Sequence, residues 1–346
     1  MSVSPKGIKH SPTEWQIDFA PWLNLKILMG MNEGKYEFLR VRREFRQPFV
    51  TGAGSFSHME RIILKTEENG VVGFGEVAPW PNFKTESITQ CLELLNAAHG
   101  NLETLKALFR KSEDDFPCLG AALSSCEIWY EIKKFGEKLE CAGLLTNPSE
   151  EGVYKKIGDG FKTLKIKITP ETSLAVVKSI IATTPEDIIF RLDANGSLNL
   201  EQSKQWINFA LSSDKIDFIE QPLPVNHEGY KQIDPFKVAL DESFVYPTQL
   251  KWPGPVIIKP CLVGSWMEFM GWRHNRYDGV YYSSLFETAF GRQAALWLAQ
   301  RDPQATAVGF DTLNYFKDDG LDHHQSGPVI EGLANFDWIE LWRSLK

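Results

Sequence analysis

Five short apolar runs between Lys165 and Lys259 each stop abruptly on charged side chains, and that repeat constrains the chain more than any other feature. They are Leu164-Lys165-Ile166-Lys167-Ile168, Arg191-Leu192-Asp193-Ala194-Asn195, Ile219-Glu220-Gln221-Pro222, Ala239-Leu240-Asp241-Glu242-Ser243 and Ile257-Ile258-Lys259-Pro260. A short apolar run bounded by turn residues reads as a strand buried on both faces, as in a parallel sheet. Charge at the C-terminal ends of such strands is where a (β/α)8 barrel carries its chemistry. Successive strand ends would then deliver a lysine pair, an aspartate, a glutamate, an aspartate and a lysine.

The rest of the chain supports an α/β reading with a (β/α)8-type barrel and an α+β N-terminal capping domain. Beyond about Leu139 strand and helix patterns alternate. Strands are expected at Ala142–Leu145, Thr163–Ile168, Ile188–Asp193, Phe218–Glu220, Val238–Asp241, Pro255–Lys259, Gly279–Ser283 and Thr306–Phe310. Amphipathic helices are expected at Leu174–Thr183, Leu200–Leu211 and Gly291–Ala299. Before Leu139 the texture differs: strand-like runs around the turn signal Asn69-Gly70 precede helical stretches at Thr85–Ala98, Leu102–Arg110 and Leu119–Phe135. Gln47 to His58, rich in Gly, Ser, Thr and Phe, reads as a mobile loop, and Pro79–Phe83 as a second one. The expected boundaries are an unassigned extension over 1–35, a cap over 36–138 completed by the tail at about 318–346, and a barrel over 139–317.

Composition narrows the function classes. A net charge of −8 argues against a nucleic-acid surface, which relies on clustered Lys and Arg. The five cysteines form no Cys-x-x-Cys pair, so neither a disulfide framework nor structural zinc is expected, and a reducing cytoplasm is the expected setting. No run approaches the ~18 apolar residues of a membrane span. Met1 to Asn32 lacks the basic-then-apolar pattern of a signal peptide.

Asp193, Glu220 and Asp241 offer three carboxylates at matching strand ends. Any one of them alone would read as a helix N-cap. Together, framed by lysines, they suit a hard cation such as Mg2+, with Mn2+ as an alternative, and the absence of His or Cys at such positions disfavours zinc. Lys165 and Lys167 lie two apart on one strand and share a face. Between Leu164, Ile166 and Ile168 they fit poorly as a solvated pair. Each is expected to lower the other's pKa, making a neutral lysine base. Lys259 ends Val256-Ile257-Ile258 and is expected across the barrel from Lys167. This set fits proton abstraction next to a carboxylate, with a cation stabilising the resulting anion.

On these motifs the chain resembles the enolase superfamily and, within it, the muconate-lactonizing subgroup, over about residues 36 to 320. Three runs make it most similar to the o-succinylbenzoate synthase family: Gly73-Phe74-Gly75-Glu76-Val77-Ala78-Pro79-Trp80-Pro81-Asn82-Phe83, Arg191-Leu192-Asp193-Ala194-Asn195 and Gly309-Phe310-Asp311-Thr312-Leu313. The resemblance implies a Mg2+-dependent dehydratase (a lyase) acting on a small carboxylate. Lys167 would be the base, Lys259 the group over the opposite face and Lys165 the tuning partner. It further implies substrate contacts from Arg191, Asn195, Ser283 and Ser284, and from Phe49 and Thr51 in a cap loop. Ser283 and Ser284 as turn residues and Arg191 as a structural ion pair stay open. So does an N-acylamino acid racemase or dipeptide epimerase, although Phe310-Asp311-Thr312 offers one acid where a dipeptide epimerase usually carries Asp-x-Asp. A non-catalytic barrel scaffold is the distant alternative.

Overall fold

The computed structural model describes residues 34–51, 54–80, 83–244, 252–276 and 279–346. The expected extension therefore lies, up to residue 33, outside the described residues, as do 52–53, 81–82, 245–251 and 277–278.

The N-terminal part is an antiparallel sheet of β1 (Lys35–Thr51), β2 (Gly54–Glu68) and β3 (Val71–Val77), in that order. The Asn69-Gly70 turn has φ of 52° and 76°, both left-handed, as a two-residue hairpin requires. Helices α1 (Ile88–Ala97), α2 (Leu102–Phe109) and α3 (Pro117–Ile132) follow. Alternate glycines set how closely α3 packs on β3. A Cβ on Gly73 would lie 2.2 Å from the Cys126 carbonyl oxygen, and one on Gly75 2.1 Å from that of Ala122.

The loop expected over 47–58 is instead a strand hairpin. Phe49 pairs with Phe56 and Thr51 with Gly54, after a register shift between Glu44 and Phe49. Its small polar residues resemble loop composition, but Phe49 stacks on Phe45 with ring centroids 5.5 Å apart and meets Phe286 at 4.7 Å. Aromatic packing of this kind holds a β-ribbon that propensity alone would not.

A short strand, β4 (Lys138–Glu140), leads into the second part, which is a ring of parallel strands. β5 (Ala142–Leu145), β6 (Thr163–Lys167), β7 (Ile189–Asp193), β8 (Ile216–Glu220) and β9 (Val238–Ala239) pair in sequence order, and β10 (Val256–Ile258) pairs with β11 (Val280–Tyr282). Parallel bridges complete the circuit: Leu240 with Val256, Ser283 with Gly309 and Val308 with Cys141. The eighth segment, expected at Thr306–Phe310, is thus held by bridges between β11 and β5. Its backbone is satisfied on both sides, with Gly309 N–H donating to Tyr282 O at 2.8 Å and Val308 O accepting from Ala142 N–H at 2.9 Å.

Helices α4 (Glu150–Gly158), α5 (Leu174–Thr183), α6 (Leu200–Leu211), α7 (Trp266–His274) and α8 (Ala289–Gln300) accompany the strands. Between β8 and β9 only short 3-10 turns occur, at Glu228–Gln232 and Pro235–Lys237. Past α8, β12 (Val329–Glu331) pairs antiparallel with β4. The closing helix α9 (Trp338–Ser344) packs Trp338 on Trp129 at 5.1 Å and on Phe290 at 5.4 Å, and Trp342 on Phe74 at 5.8 Å. The tail therefore touches β3, α3 and α8 together. Among the described residues no helix is long and apolar enough to cross a membrane.

Candidate active site

Strand register brings the charged ends to one level. Lys167 is paired with Asp193, and Asp193 with Glu220, while Asp241 lies two residues beyond Ala239, the partner of Glu220. Lys259 follows directly on β10. All three acids are buried, with Asp193 and Glu220 each 1% exposed.

Each acid closes on a lysine. Lys165 Nζ stands 2.8 Å from Asp193 Oδ2 and 2.6 Å from Glu220 Oε1, and Lys167 Nζ stands 2.6 Å from the same Asp193 oxygen. Lys259 pairs with Asp241 and lies 4.6 Å from the centroid of Phe83, giving it a cation–π contact.

The fields follow from this geometry. Burial alone would raise the Asp193 pKa, but Lys165 and Lys167 outweigh it and hold the carboxyl well below its usual range. Burial pushes Glu220 up to about 7, with Asp193 adding to the rise and Lys165 opposing it. Burial likewise raises Asp241, against Lys259. Burial would depress Lys165, yet Asp193, Glu220 and Asp241 together raise it. That is opposite to the mutual lowering expected of the lysine pair. Three carboxylates within the same buried cluster outweigh one neighbouring ammonium.

Lys165, Lys167, Asp193, Asp241 and Lys259 line one cleft, while Glu220 lies behind them and is not among its lining residues. Phe49, Trp80, Phe83 and Phe286, and the hydroxyl-bearing Ser283, Ser284 and Thr312, also line it. Phe286 adopts a left-handed φ of 62° at the turn after β11.

Arg191, expected as a substrate contact, is not among the residues lining the cleft. Its guanidinium pairs with Asp217 at 3.0 Å, donates to Thr306 Oγ1 at 2.9 Å and to the Ala307 carbonyl, and lies over Tyr281 at 4.7 Å. It sits two residues below Asp193 on the strand, deep in the ring, so the structural ion pair is what the structure contains. Ser283 and Ser284 both line the cleft. The Ser284 hydroxyl is already committed: it donates to Glu287 Oε2 at 2.6 Å and accepts from Thr312 Oγ1 at 3.0 Å and Phe286 N–H at 2.9 Å. Ser283 Oγ makes only a 3.3 Å bond to the Gly309 carbonyl. Phe49 and Asn195 line the cleft. Thr51 ends β1, and its side chain lies outside what the structure describes.

Two lining acids were not singled out as site residues from sequence. Glu242 follows Asp241 directly and is 8% exposed, with Oε2 lacking a hydrogen-bond partner. Its adjacency to a strand-end acid was the available signal. Asp311 is neutralised by Lys156 of α4 and accepts from Leu144 N–H at 2.9 Å.

As the side chains stand, no group of three or more His, Cys, Asp or Glu among the described residues is arranged to hold a metal ion. The lysine ammoniums occupy the positions between the acids. The donor chemistry nevertheless fits a hard divalent cation. It consists of buried carboxylate oxygens on adjoining strands, with an orphaned carboxylate oxygen on Glu242 in the same cleft.

Residues 151–252 match the Enolase C-terminal domain-like family. The chain is similar to the o-succinylbenzoate synthase of Thermosynechococcus vestitus, with 26% identity over 90% of this chain and 99% of the relative. Among solved structures it resembles the o-succinylbenzoate synthase of Thermosynechococcus elongatus BP-1, which holds Mg in its active site. The TM-score is 0.72 at 23% identity, over 82% of this chain and 94% of that one. It equally resembles the N-succinyl Arg/Lys racemase of Bacillus cereus, with a TM-score of 0.72 at 19% identity over 92% and 98% of the two chains. Residues 151–252 thus match the Enolase C-terminal domain-like family, and along most of its length the chain is similar to an o-succinylbenzoate synthase and shares the fold of these solved enzymes.

Proposed function

We propose that the chain is an o-succinylbenzoate synthase, a Mg2+-dependent lyase. It would convert 2-succinyl-6-hydroxy-2,4-cyclohexadiene-1-carboxylate to 2-succinylbenzoate and water, a step of menaquinone biosynthesis. The observation that carries the reading is the placement of Lys167 and Lys259 around one cleft. β6 is the second and β10 the sixth of the eight ring segments, so the two ammonium-bearing side chains come from opposite sides with the acids between them. The similarity to an o-succinylbenzoate synthase along 90% of the chain supports the choice of reaction.

Asp193, Glu220 and Asp241 would hold the cation, which neutralises the substrate carboxylate and favours a neutral amine on a neighbouring lysine. Lys167 Nζ accepts the α-proton as that C–H bond breaks. Lys259, charged and on the far side, stabilises the negative charge left on the substrate. The C–O bond then breaks, and the departing hydroxide takes the proton back from Lys167 and leaves as water. Loss of water makes the ring aromatic, so the reaction is driven strongly forward. Phe49, Trp80, Phe83 and Phe286 would cover the flat ring and limit water entry.

A second reading is N-acylamino acid racemisation, favoured by the likeness to the N-succinyl Arg/Lys racemase and by the same facing lysines. A dipeptide's ammonium is less well served, because the lining acid Asp311 is already paired with Lys156. The deciding assay supplies the cyclohexadiene substrate with and without EDTA. Conversion lost with EDTA and restored by Mg2+ supports the dehydratase. No conversion, but α-deuterium exchange on N-succinyl amino acids, moves the chain to the racemase reading. Silence on both substrates would return a non-catalytic barrel to consideration.

A further inference from the structure

Asn195 sits at a conformation that few residues adopt. Its φ is 44°, in the left-handed region where asparagine is one of the tolerated side chains. The backbone there is held by its own N–H, which donates to Asp193 Oδ1 at 3.0 Å. The side-chain amide is thereby aimed between two charged groups. Its Oδ1 accepts from the Lys167 ammonium, and its Nδ2 donates to Glu242 Oε1 at 3.1 Å.

The two ends of this chain of contacts are chemically opposite. A lysine ammonium has donors only, and an ionised carboxylate only acceptors. The amide can satisfy both in one orientation, oxygen towards Lys167 and NH2 towards Glu242. A flipped amide would present N–H groups to an ammonium. Glu242 therefore decides which face of the amide the lysine meets. It is well placed to do so, being 8% exposed, next to Asp241 and lining the same cleft.

We propose that Glu242 is a positioning residue that aims the Lys167 ammonium through the side-chain amide of Asn195. The proposal rests on the reading of Lys167 as the base. It concerns the acceptor role of Glu242 Oε1 rather than its charge, and that distinction makes it testable. Glu242→Gln keeps a side-chain oxygen that can accept from Asn195 Nδ2, whereas Glu242→Leu removes every acceptor.

The test compares Glu242→Gln, Glu242→Leu, Asn195→Ala and the Glu242→Leu/Asn195→Ala double variant in the Mg2+-loaded enzyme. Glu242→Leu should lower kcat by on the order of tenfold to a hundredfold with KM little changed, as misplacement of a base does. Glu242→Gln should recover most of that loss. The double variant should be no worse than the poorer single one. A readout independent of turnover is the acetylation rate of Lys167 by an N-hydroxysuccinimide ester, followed by peptide mass mapping with Lys165 as reference. Loss of the clamp in Glu242→Leu should raise the Lys167 to Lys165 ratio, and Glu242→Gln should leave it near wild type. The proposal is overturned if Glu242→Leu leaves both kcat and the ratio unchanged, or if Glu242→Gln is as impaired as Glu242→Leu. Lys167→Ala keeps the two questions apart: unchanged α-proton exchange in that variant sinks the base assignment, whatever the ratio shows.

Discussion

The carboxylate of Glu76 on β3 is seated on the first turn of α8, more than two hundred residues further along. It accepts from Thr288 N–H at 3.0 Å, Thr288 Oγ1 at 2.5 Å and Gly291 N–H at 3.1 Å, and Arg61 Nε stands 3.4 Å from its other oxygen. Burial pushes Glu76 up and Arg61 down, each against the pull of the other. Arg61 also donates to the Leu285 carbonyl at 2.7 Å, and Arg43 to that of Glu287 at 2.9 Å. The N-terminal sheet thus fixes the turn that carries Leu285 and Phe286 into the cleft. Replacing Glu76 by alanine would leave Arg61 buried without its partner. The expected cost is about 3–5 kcal/mol of unfolding free energy in urea titrations, typical of breaking one side of a buried pair. A loss under about 1 kcal/mol would mean that the network contributes little, since one-sided removal from a buried pair normally exceeds it.

Cation binding should be visible without turnover. Lysines now compensate Asp193, Glu220 and Asp241, and a ligand that binds only the folded chain stabilises it by mass action. At about a hundredfold excess over Kd, Mg2+ should add about 2.7 kcal/mol and raise the melting temperature, with EDTA reversing the shift. Asp193→Asn and Glu220→Gln should each abolish most of that shift. A shift that survives in both variants would place the cation elsewhere.

The barrel was legible because its signal is local. Five of the strands are short apolar runs ending in charge, and the pairing of Lys167 with Asp193 and Asp193 with Glu220 follows from register alone. The eighth segment was also readable, although it is held by single bridges. Other features depend on distant partners. The Phe49–Phe56 hairpin reads as loop until Phe45 and Phe286 are seen against it. Arg191 shares a motif with Asp193, but only the fold reveals Asp217, Thr306 and Ala307 around its guanidinium. Helix α4 was not expected from the sequence: it is short and largely polar, and of its nine residues only Val153 is buried. The pKa direction of Lys165 needed the count of carboxylates around it, which no spacing along one strand supplies.

A buried histidine should leave its mark on acid stability. His324 is 7% exposed, Nε2 is 3.1 Å from Gln293 Oε1, and Nδ1 has no partner. Burial, with Arg292 and His323 adding to it, holds its pKa well below the ordinary value. The folded chain therefore resists protonation that the unfolded chain accepts. Above the unfolded value of about 6.5 both states are neutral and the contribution is fully present. As pH falls below that, stability should drop by up to about 1.4 kcal/mol per pH unit from this one site, continuing until the folded-state pKa is reached. Urea midpoints measured from about pH 7.5 to about pH 5, a window spanning the unfolded value, should show the slope, and His324→Gln should flatten it. An equal slope in the variant would assign the acid sensitivity to other groups.

Phe49 offers the clearest separation of binding from chemistry. Its ring lines the cleft, stacks on Phe45 and meets Phe286 at 4.7 Å and Tyr315 at 5.7 Å, yet it touches none of the charged groups through a hydrogen bond or ion pair. If these rings close over a flat substrate, truncating one removes contact area that ground state and transition state share, and such a loss raises KM while sparing kcat. Phe49→Ala should therefore raise KM for the cyclohexadiene substrate about tenfold, in keeping with the roughly 1.5 kcal/mol that an aromatic contact contributes. The fall in kcat should stay within about threefold, since uniform binding leaves the chemical step untouched. Phe49→Leu should sit between the two, because it keeps apolar area but loses the flat face. The opposite pattern, kcat falling with KM held, would mean that the hairpin acts on the reacting groups themselves, through Phe286 and the turn that bears it.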